Sequence, residues 1–209
     1  MGLSTRLWEE NQDLARACRD HPFVQGIASG ELPRPRFAFY VGQDAFYLEA
    51  YARAYALALA KAPDRSTMLE FRDLMEGVFE ELRLHQQYAR RWNVDLAPQP
   101  APATQAYTDF LLRVAWSEPV GRIVAAMTPC MRLYAHLGQA LQPVTKAESP
   151  YREWVETYAS QEIEDLTRRL ERLLDACDPG DRGLAAHYRT AMRLELAFFD
   201  QAWHAHGPG

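Results

Sequence analysis

One cysteine of this chain lies in a sequence context that makes its thiol a candidate nucleophile. In the stretch MTPCMRLY, residues 127–134, Cys130 directly follows Pro129 and precedes Tyr134 by one helical turn. A free cysteine is usually a small buried residue, but its thiolate is also a strong nucleophile. Pro129 has no amide hydrogen, and it disfavours the helical backbone conformation of Thr128, the residue before it. We therefore expect the helix to be broken or kinked there. A bend that turned free amides toward Cys130 would lower the pKa of the thiol.

Two carboxyl groups fall on helical faces that are otherwise apolar or aromatic. Asp44 shares one face with Tyr47, three residues later, whereas Glu195 is followed at three and four residues by Phe198 and Phe199. A carboxylate is costly to bury unless something bonds to it. Each of the two is therefore either paired with an arginine or part of a site. Apolar neighbours raise the pKa of a carboxyl group, which makes Glu195 a candidate acid and base.

Tyrosines share helical faces with these candidate residues. Tyr134 lies four residues after Cys130, and Tyr158 lies four residues before Glu162. Buried tyrosines usually belong to the core, where the hydroxyl bonds a main-chain carbonyl. Several phenols, two carboxyl groups and a thiol pointing inward from different helices are also typical of a ligand pocket.

The elements that must position these side chains are amphipathic helices separated by short breaks rich in proline and glycine. No stretch shows the alternation of a strand, so we predict an all-α helical bundle of about seven helices in a single domain, residues 1–209. Residues 21–35 are predicted to form a loop. The predicted helices cover residues 5–20, 36–61, 64–92, 104–117 and 119–141, with a sixth opening at 149–150 and a seventh at 178–179.

Composition excludes several classes of partner and location. The chain has 209 residues, of which 48% are hydrophobic, and a net charge of -5 without a cluster of basic residues, so we expect neither a nucleic-acid nor a membrane partner. No apolar run approaches the roughly 20 residues of a transmembrane helix, and the first residues do not resemble a signal peptide. Three widely spaced cysteines fit a reducing compartment. We therefore predict a cytoplasmic protein.

Five stretches of the sequence together resemble the TenA family, whose members include the thiaminase II enzymes of thiamin salvage. In chain order these stretches are FAFYVGQDAFYLEAYARAYALAL, AYTDFLLRVA, AAMTPCMRLYAHLG, YREWVETYASQE and ELAFFDQAW. The resemblance spans nearly the whole chain. Its most specific part is the Pro-Cys pair followed four residues later by tyrosine, which is similar to the cysteine-containing branch of the family.

The resemblance implies a haem-oxygenase-like fold without haem, assembled as a homotetramer, and an aminopyrimidine aminohydrolase (thiaminase II) activity. Such an enzyme hydrolyses an aminomethylpyrimidine, or thiamin itself, and releases hydroxymethylpyrimidine without a cofactor or metal. By motif, Cys130 would be the nucleophile, Glu195 the acid and base, and Asp44 the anchor for the amino group of the pyrimidine. The tyrosines that would line the pocket are Tyr47, Tyr107, Tyr134 and Tyr158.

Two other functional classes remain open from the sequence. The same architecture resembles a group of di-iron oxidases, and either Glu81 with His85 or Asp200 with His204 would place two metal ligands on one helix face. The chain would otherwise be a non-catalytic protein that binds a pyrimidine or acts in regulation. The choice between thiamin and its breakdown product as the main substrate also remains open, although the breakdown product is our expectation.

Overall fold

The structure is a computed structural model, and it describes residues 2–92 and 94–205 apart from the side chains of Leu84, Tyr88, Arg91 and Trp92. Over this part of the chain there are ten helices and no strand, which confirms the predicted all-α class. The helices are α1 Leu3–Glu10, α2 Gln12–Arg19, α3 Pro22–Ser29, α4 Arg34–Ala60, α5 Arg65–Trp92, α6 Pro102–Ser117, α7 Val120–Leu141, α8 Arg152–Tyr158, α9 Gln161–Asp175 and α10 Arg182–His204.

Helix α4 lies in the interior and organises the bundle. It packs against α5, α6, α7 and α10, and most of its circumference is buried, apart from an exposed strip that includes Glu49 and Arg53. A helix with so wide a buried face is normally enclosed by several other elements. On the far side of this core, α7 packs against α8, α9 and α10. Side chains directed inward from α4 and α7 therefore meet in the centre of the molecule.

The predicted loop over residues 21–35 was wrong, because it contains the two-turn helix α3. His21 caps its first turn by accepting a hydrogen bond from the amide of Phe23 at 3.2 Å, and Pro22 occupies the first helical position. Gly30 ends the helix in the left-handed conformation, with φ of 78°. Proline at the start and glycine just past the end are the usual signals of a short helix.

Two predicted helices are each divided into two. The first is interrupted at Asn11, whose side-chain amide donates to the carbonyl of Leu7 at 2.8 Å. Asparagine competes in this way with the helical hydrogen bonds. The sixth is interrupted after Tyr158, where Ser160 starts α9 by accepting from the amide of Ile163 at 3.3 Å.

The seventh predicted helix begins at Arg182 rather than near residue 178, because the side chain of Asp181 caps it by accepting from the amide of Gly183.

Helix α7 continues from Val120 to Leu141, so the break that was one of the two outcomes expected at Pro129 does not occur. Side-chain donors bond carbonyl groups in the turns next to the proline. The hydroxyl of Thr128 donates to the carbonyl of Val124 at 2.7 Å, and the hydroxyl of Tyr51 donates to that of Met127 at 2.8 Å. Neither bond replaces the one that the proline cannot make, because the carbonyl that loses its helical donor at Pro129 is that of Ala125.

In the described part of the chain, none of the helices combines the length and the apolar character needed to cross a membrane.

Candidate active site

A pocket with about 320 Å³ of empty space, including the part that is open to solvent, lies between α4, α5, α7, α8 and α9. Five of the seven predicted site residues line it, namely Asp44, Tyr47, Cys130, Tyr134 and Tyr158. The other lining residues are Leu48, Glu81, Met131 and Ile163. The pocket therefore presents a thiol, two carboxyl groups and three phenols within a partly apolar wall.

Asp44 is held by a histidine of the neighbouring helix. Its Oδ2 lies 2.7 Å from Nε2 of His85, and both side chains are almost fully buried. Burial opposes the charge on His85, but the hydrogen bond and the negative charge of Asp44 outweigh it and raise the pKa of His85 to about 9. A buried carboxylate that is paired in this way can remain charged inside the protein.

Glu81 is the second carboxyl group of the pocket wall. It accepts a short hydrogen bond from the hydroxyl of Tyr158, the last residue of α8. Burial, followed by the negative charge of Asp44, raises the pKa of Glu81 to about 7. At neutral pH this group is therefore present in both its protonated and its ionised form.

The Cys130 thiol is partly exposed to the pocket one helical turn before Tyr134. Burial raises the pKa of this thiol well above its ordinary value, and the negative charge of Glu195 raises it further. This direction is opposite to the lowered pKa that the sequence suggested for Cys130. The resting group is thus a thiol rather than a thiolate, and it requires a base before it can act as a nucleophile.

Glu195 and Tyr107 are not among the residues that line the pocket, but Glu195 interacts with the Cys130 thiol, which does line it. Glu195 is only 2% exposed, and its Oε1 accepts a hydrogen bond of 2.7 Å from the hydroxyl of Tyr107. Burial raises the pKa of Glu195 to about 8, although the Tyr107 hydroxyl and the Cys130 thiol act in the opposite direction. The sequence anticipated a raised pKa for Glu195 from its apolar neighbours. Because Glu195 interacts with Cys130, its carboxyl group is placed to act as the base that the thiol requires.

Aromatic side chains form the walls of the site in two contacting pairs. The ring centroids of Tyr47 and Tyr107 are 4.7 Å apart, and those of Tyr134 and Tyr158 are 4.8 Å apart. Tyr134 is further held through the hydroxyl of Tyr40, at 3.1 Å. The hydroxyl of Tyr47 is buried and makes no hydrogen bond of ordinary geometry within the described residues, but it lies against the Cys130 thiol, whose pKa it lowers.

The sequence indicated no pocket role for Glu81, His85, Leu48 or Met131. It suggested Glu81 and His85 only as a possible pair of metal ligands. No local signal separates Glu81 from its neighbour Glu80, which forms an ion pair with Arg83 on the surface. Only the packing of α5 against α4 shows that Glu81 faces inward.

The two pairs proposed as metal ligands have other partners. Glu81 and His85 bond Tyr158 and Asp44, whereas Asp200 and His204 lie on the surface with side chains 61% and 71% exposed. Across residues 2–92 and 94–205 there is no group of three or more histidine, cysteine, aspartate or glutamate side chains arranged to hold a metal ion.

Comparison with known proteins gives consistent matches over the whole chain. Residues 8–205 match the model of the TENA/THI-4/PQQC family. An aminopyrimidine aminohydrolase of Halalkalibacterium halodurans is 35% identical, over 97% of this chain and 96% of the relative.

Two solved structures relate the fold to known architectures. A TenA family transcription regulator from Silicibacter sp. TM1040 superimposes with a TM-score of 0.90 at 26% identity, over 97% of each chain. A domain of unknown function from Shewanella denitrificans, described as having a heme oxygenase-like fold, superimposes with a TM-score of 0.75 at 14% identity, over 95% of this chain and 91% of the other. The predicted haem-oxygenase-like fold is thereby confirmed. Given the family match and the full-length relative, the chain belongs to the TENA/THI-4/PQQC family.

Proposed function

We propose that this protein is an aminopyrimidine hydrolase of thiamin salvage, which converts an aminomethylpyrimidine into hydroxymethylpyrimidine and ammonia and also accepts thiamin. The observation that carries the proposal is that Cys130 and Asp44 line the same pocket. One residue supplies a nucleophile and the other an acceptor for the ring amino group. The name of the relative from Halalkalibacterium halodurans supports the same substrate class.

Binding would use the charged and aromatic groups of the wall. Asp44 accepts from the exocyclic amino group of the pyrimidine, while His85 holds the opposite side of that carboxylate. The rings of Tyr47, Tyr134 and Tyr158 provide flat apolar contact for the heterocycle. The hydroxyl of Tyr47, which lies against the Cys130 thiol, can bond a polar atom of a substrate held there. A small number of polar groups in a mostly apolar pocket is typical of such ligand sites.

Catalysis would begin with the thiol. Glu195 takes the proton of Cys130, and the sulfur bonds to the ring carbon beside the methylene arm while the same proton passes from Glu195 to a ring nitrogen. The adduct is no longer aromatic, so its electron pair can expel the protonated amine of the arm as ammonia. Water then adds to the methylene carbon. The ring nitrogen returns its proton, the carbon–sulfur bond breaks, and Cys130 is restored.

We propose a single domain that works as a homotetramer in the cytoplasm, without a cofactor, a metal or a partner other than its pyrimidine substrate. Helix α5 exposes Met68, Leu69 and Phe79 by 41%, 42% and 40% of their surfaces. Two more large apolar side chains, Trp116 and Val144, are exposed elsewhere, and exposed apolar surface of this kind supports contact with another copy of the chain. Light scattering after size-exclusion chromatography distinguishes a tetramer from a monomer.

The function is tested by incubating the purified protein with the aminomethylpyrimidine. We expect ammonia and hydroxymethylpyrimidine in equal amounts. As a matched control, an analogue without the ring amino group should react much more slowly, because Asp44 then has nothing to bind. Stoichiometric substrate binding without any product would instead support the non-catalytic pyrimidine-binding alternative.

A further inference from the structure

Glu81 is a carboxyl group of the pocket wall that the steps above do not use. It lines the pocket together with Cys130, and its carboxylate accepts from the hydroxyl of Tyr158. The next residue toward the N-terminus, Glu80, is exposed and pairs with Arg83. Two adjacent glutamates of α5 thus have entirely different surroundings, and only one of them can reach a molecule in the pocket.

We propose that Glu81 is the acid and base that serves the methylene arm of the substrate, taking a proton from the attacking water and giving it to the departing ammonia. This inference rests on the proposed function and adds a second proton-transfer group to it. Glu195 would serve the thiol and the ring nitrogen, and Glu81 would serve the arm.

The positions of the two carboxyl groups favour this division. Glu195, on α10, is nearly inaccessible, is held by Tyr107, and interacts with Cys130. Glu81 comes from a different helix and lies in the wall itself, where it is partly exposed. Since a water molecule must reach the methylene arm through the pocket, a group in its lining is better placed to accept the proton of that water.

The electrostatic surroundings of Glu81 allow it both to accept and to donate a proton. The groups facing it are Asp44 from α4, His85 from its own helix, Tyr158 from α8 and Cys130 from α7. Burial and the charge of Asp44 favour the neutral acid, while the charge of His85 and the Tyr158 hydroxyl favour the carboxylate. The resulting pKa of about 7 is suited to a group that works in both directions at neutral pH.

The proton transfers balance without any further reactant. Ammonia departs from the protonated arm with the electron pair of the carbon–nitrogen bond, which leaves a methylene group conjugated to the ring. The oxygen of water bonds to the methylene carbon, and one of its protons moves to the carboxylate of Glu81. The carboxylic acid then protonates ammonia, which leaves as ammonium. The sum is a protonated amine and water giving an alcohol and ammonium, with no oxidation or reduction.

The test compares Glu81→Gln with Glu80→Gln, its exposed neighbour on the same helix. Glutamine is similar in shape and can still accept from Tyr158, so the fold should be retained; circular dichroism checks this. We expect Glu81→Gln to lower turnover of the aminomethylpyrimidine by about 100-fold or more, the usual contribution of a general acid or base. Glu80→Gln should turn over like the wild type.

A second readout separates this role from a structural one. Rapid acid quench and mass spectrometry should show that Cys130 of Glu81→Gln carries the substrate without its ammonia, because addition and expulsion proceed but hydration is slow. In Glu81→Ala, added formate should restore product release. Wild-type turnover in Glu81→Gln, or loss of turnover without the adduct, would overturn the inference while leaving the proposed function intact. An inactive wild type would overturn the proposed function itself.

Discussion

The imidazole of His85 bridges Asp44 and the main chain of α5. Its Nε2 lies 2.7 Å from Oδ2 of Asp44, and its Nδ1 lies 2.9 Å from the carbonyl oxygen of Glu81. Since a carbonyl can only accept, Nδ1 must carry a hydrogen, and a single proton is shared between Nε2 and Oδ2. The histidine therefore fixes the orientation of Asp44 and supplies it with a positive charge.

Replacing His85 with glutamine should destabilise the fold in a pH-dependent manner. The pKa of His85 is about 9 in the folded protein against 6.5 ordinarily, so its stabilising contribution is complete below pH 6.5 and is lost as the pH rises through 9. In this variant Asp44 is buried without a charged partner, and we expect the free energy of unfolding at pH 6 to fall by about 3–5 kcal/mol. Urea denaturation at several pH values measures the free energy of unfolding of both proteins. The difference between them should become smaller above pH 9.

His204→Gln provides the control for that measurement, because His204 is 71% exposed on the surface. The same His85→Gln variant should raise the KM for the aminomethylpyrimidine more than it lowers kcat, since His85 acts on binding through Asp44. A stability difference that did not vary with pH would show that the charge of His85 is not shared with Asp44.

The buried carboxyl group of Glu195 should make the protein less stable at high pH. Its folded pKa is about 8 and its ordinary value 4.5, so the neutral form favours folding at low pH and this advantage is lost as the pH rises through 8. Glu195→Gln removes the ionisation but can still accept from Tyr107. We expect this variant to gain stability relative to wild type between pH 5 and pH 9, by an amount on the order of a few kcal/mol.

Thermal melting of both proteins across that pH range tests the expectation for Glu195. Glu80→Gln, on the surface of α5, serves as the comparison. If the difference in melting temperature between Glu195→Gln and wild type were the same at pH 5 and pH 9, folding would not raise the pKa of Glu195.

Gly138 allows the end of α8 to approach α7 closely. A Cβ atom at this position would overlap the main-chain atoms of Tyr158 and Ala159, which cannot yield as a flexible side chain can. We expect Gly138→Ala to destabilise the fold by about 1–3 kcal/mol, typical of overpacking. Because Tyr158 would be displaced, activity should fall as well. Denaturation and steady-state turnover measure the two effects.

Gly77→Ala is the matched control, since Gly77 also lies within a helix and an added Cβ would meet the flexible end of the Leu166 side chain, with Cδ1 at 3.1 Å. Alanine is favoured over glycine in a helix interior by about 0.5–1 kcal/mol, so this variant should be neutral or more stable. Equal losses of stability in both variants would contradict the close approach at Gly138.

The sequence allowed the helical class and several boundaries to be predicted, because caps and prolines act locally. Asp64 was expected to cap a helix, and its Oδ1 accepts from the amide of Thr67 at 2.8 Å. The short helix α3 was missed, since its glycines and prolines are equally common in loops. The division at Asn11 depends on whether its side chain, rather than a main-chain amide, bonds the carbonyl of Leu7. Helical periodicity carries no information about that competition.

The candidate site was predicted less completely than the fold. Helical spacing drew attention to Asp44 and Cys130, and the family resemblance supplied their roles. Glu81 could not be separated from Glu80, because a charged helix with several glutamates has the same pattern whether one of them faces solvent or a neighbouring helix. The raised pKa of Cys130 was also missed, since it results from burial in the assembled bundle and from Glu195 on another helix.

The role of Cys130 can be measured directly by following release of ammonia and hydroxymethylpyrimidine in Cys130→Ser, wild type and Cys177→Ser. Cys177 lies outside the pocket lining and is the matched thiol. Because serine is a much weaker nucleophile toward the ring, we predict near-complete loss of turnover in Cys130→Ser and wild-type turnover in Cys177→Ser. If Cys130→Ser kept most of the wild-type rate, Cys130 would not be the nucleophile.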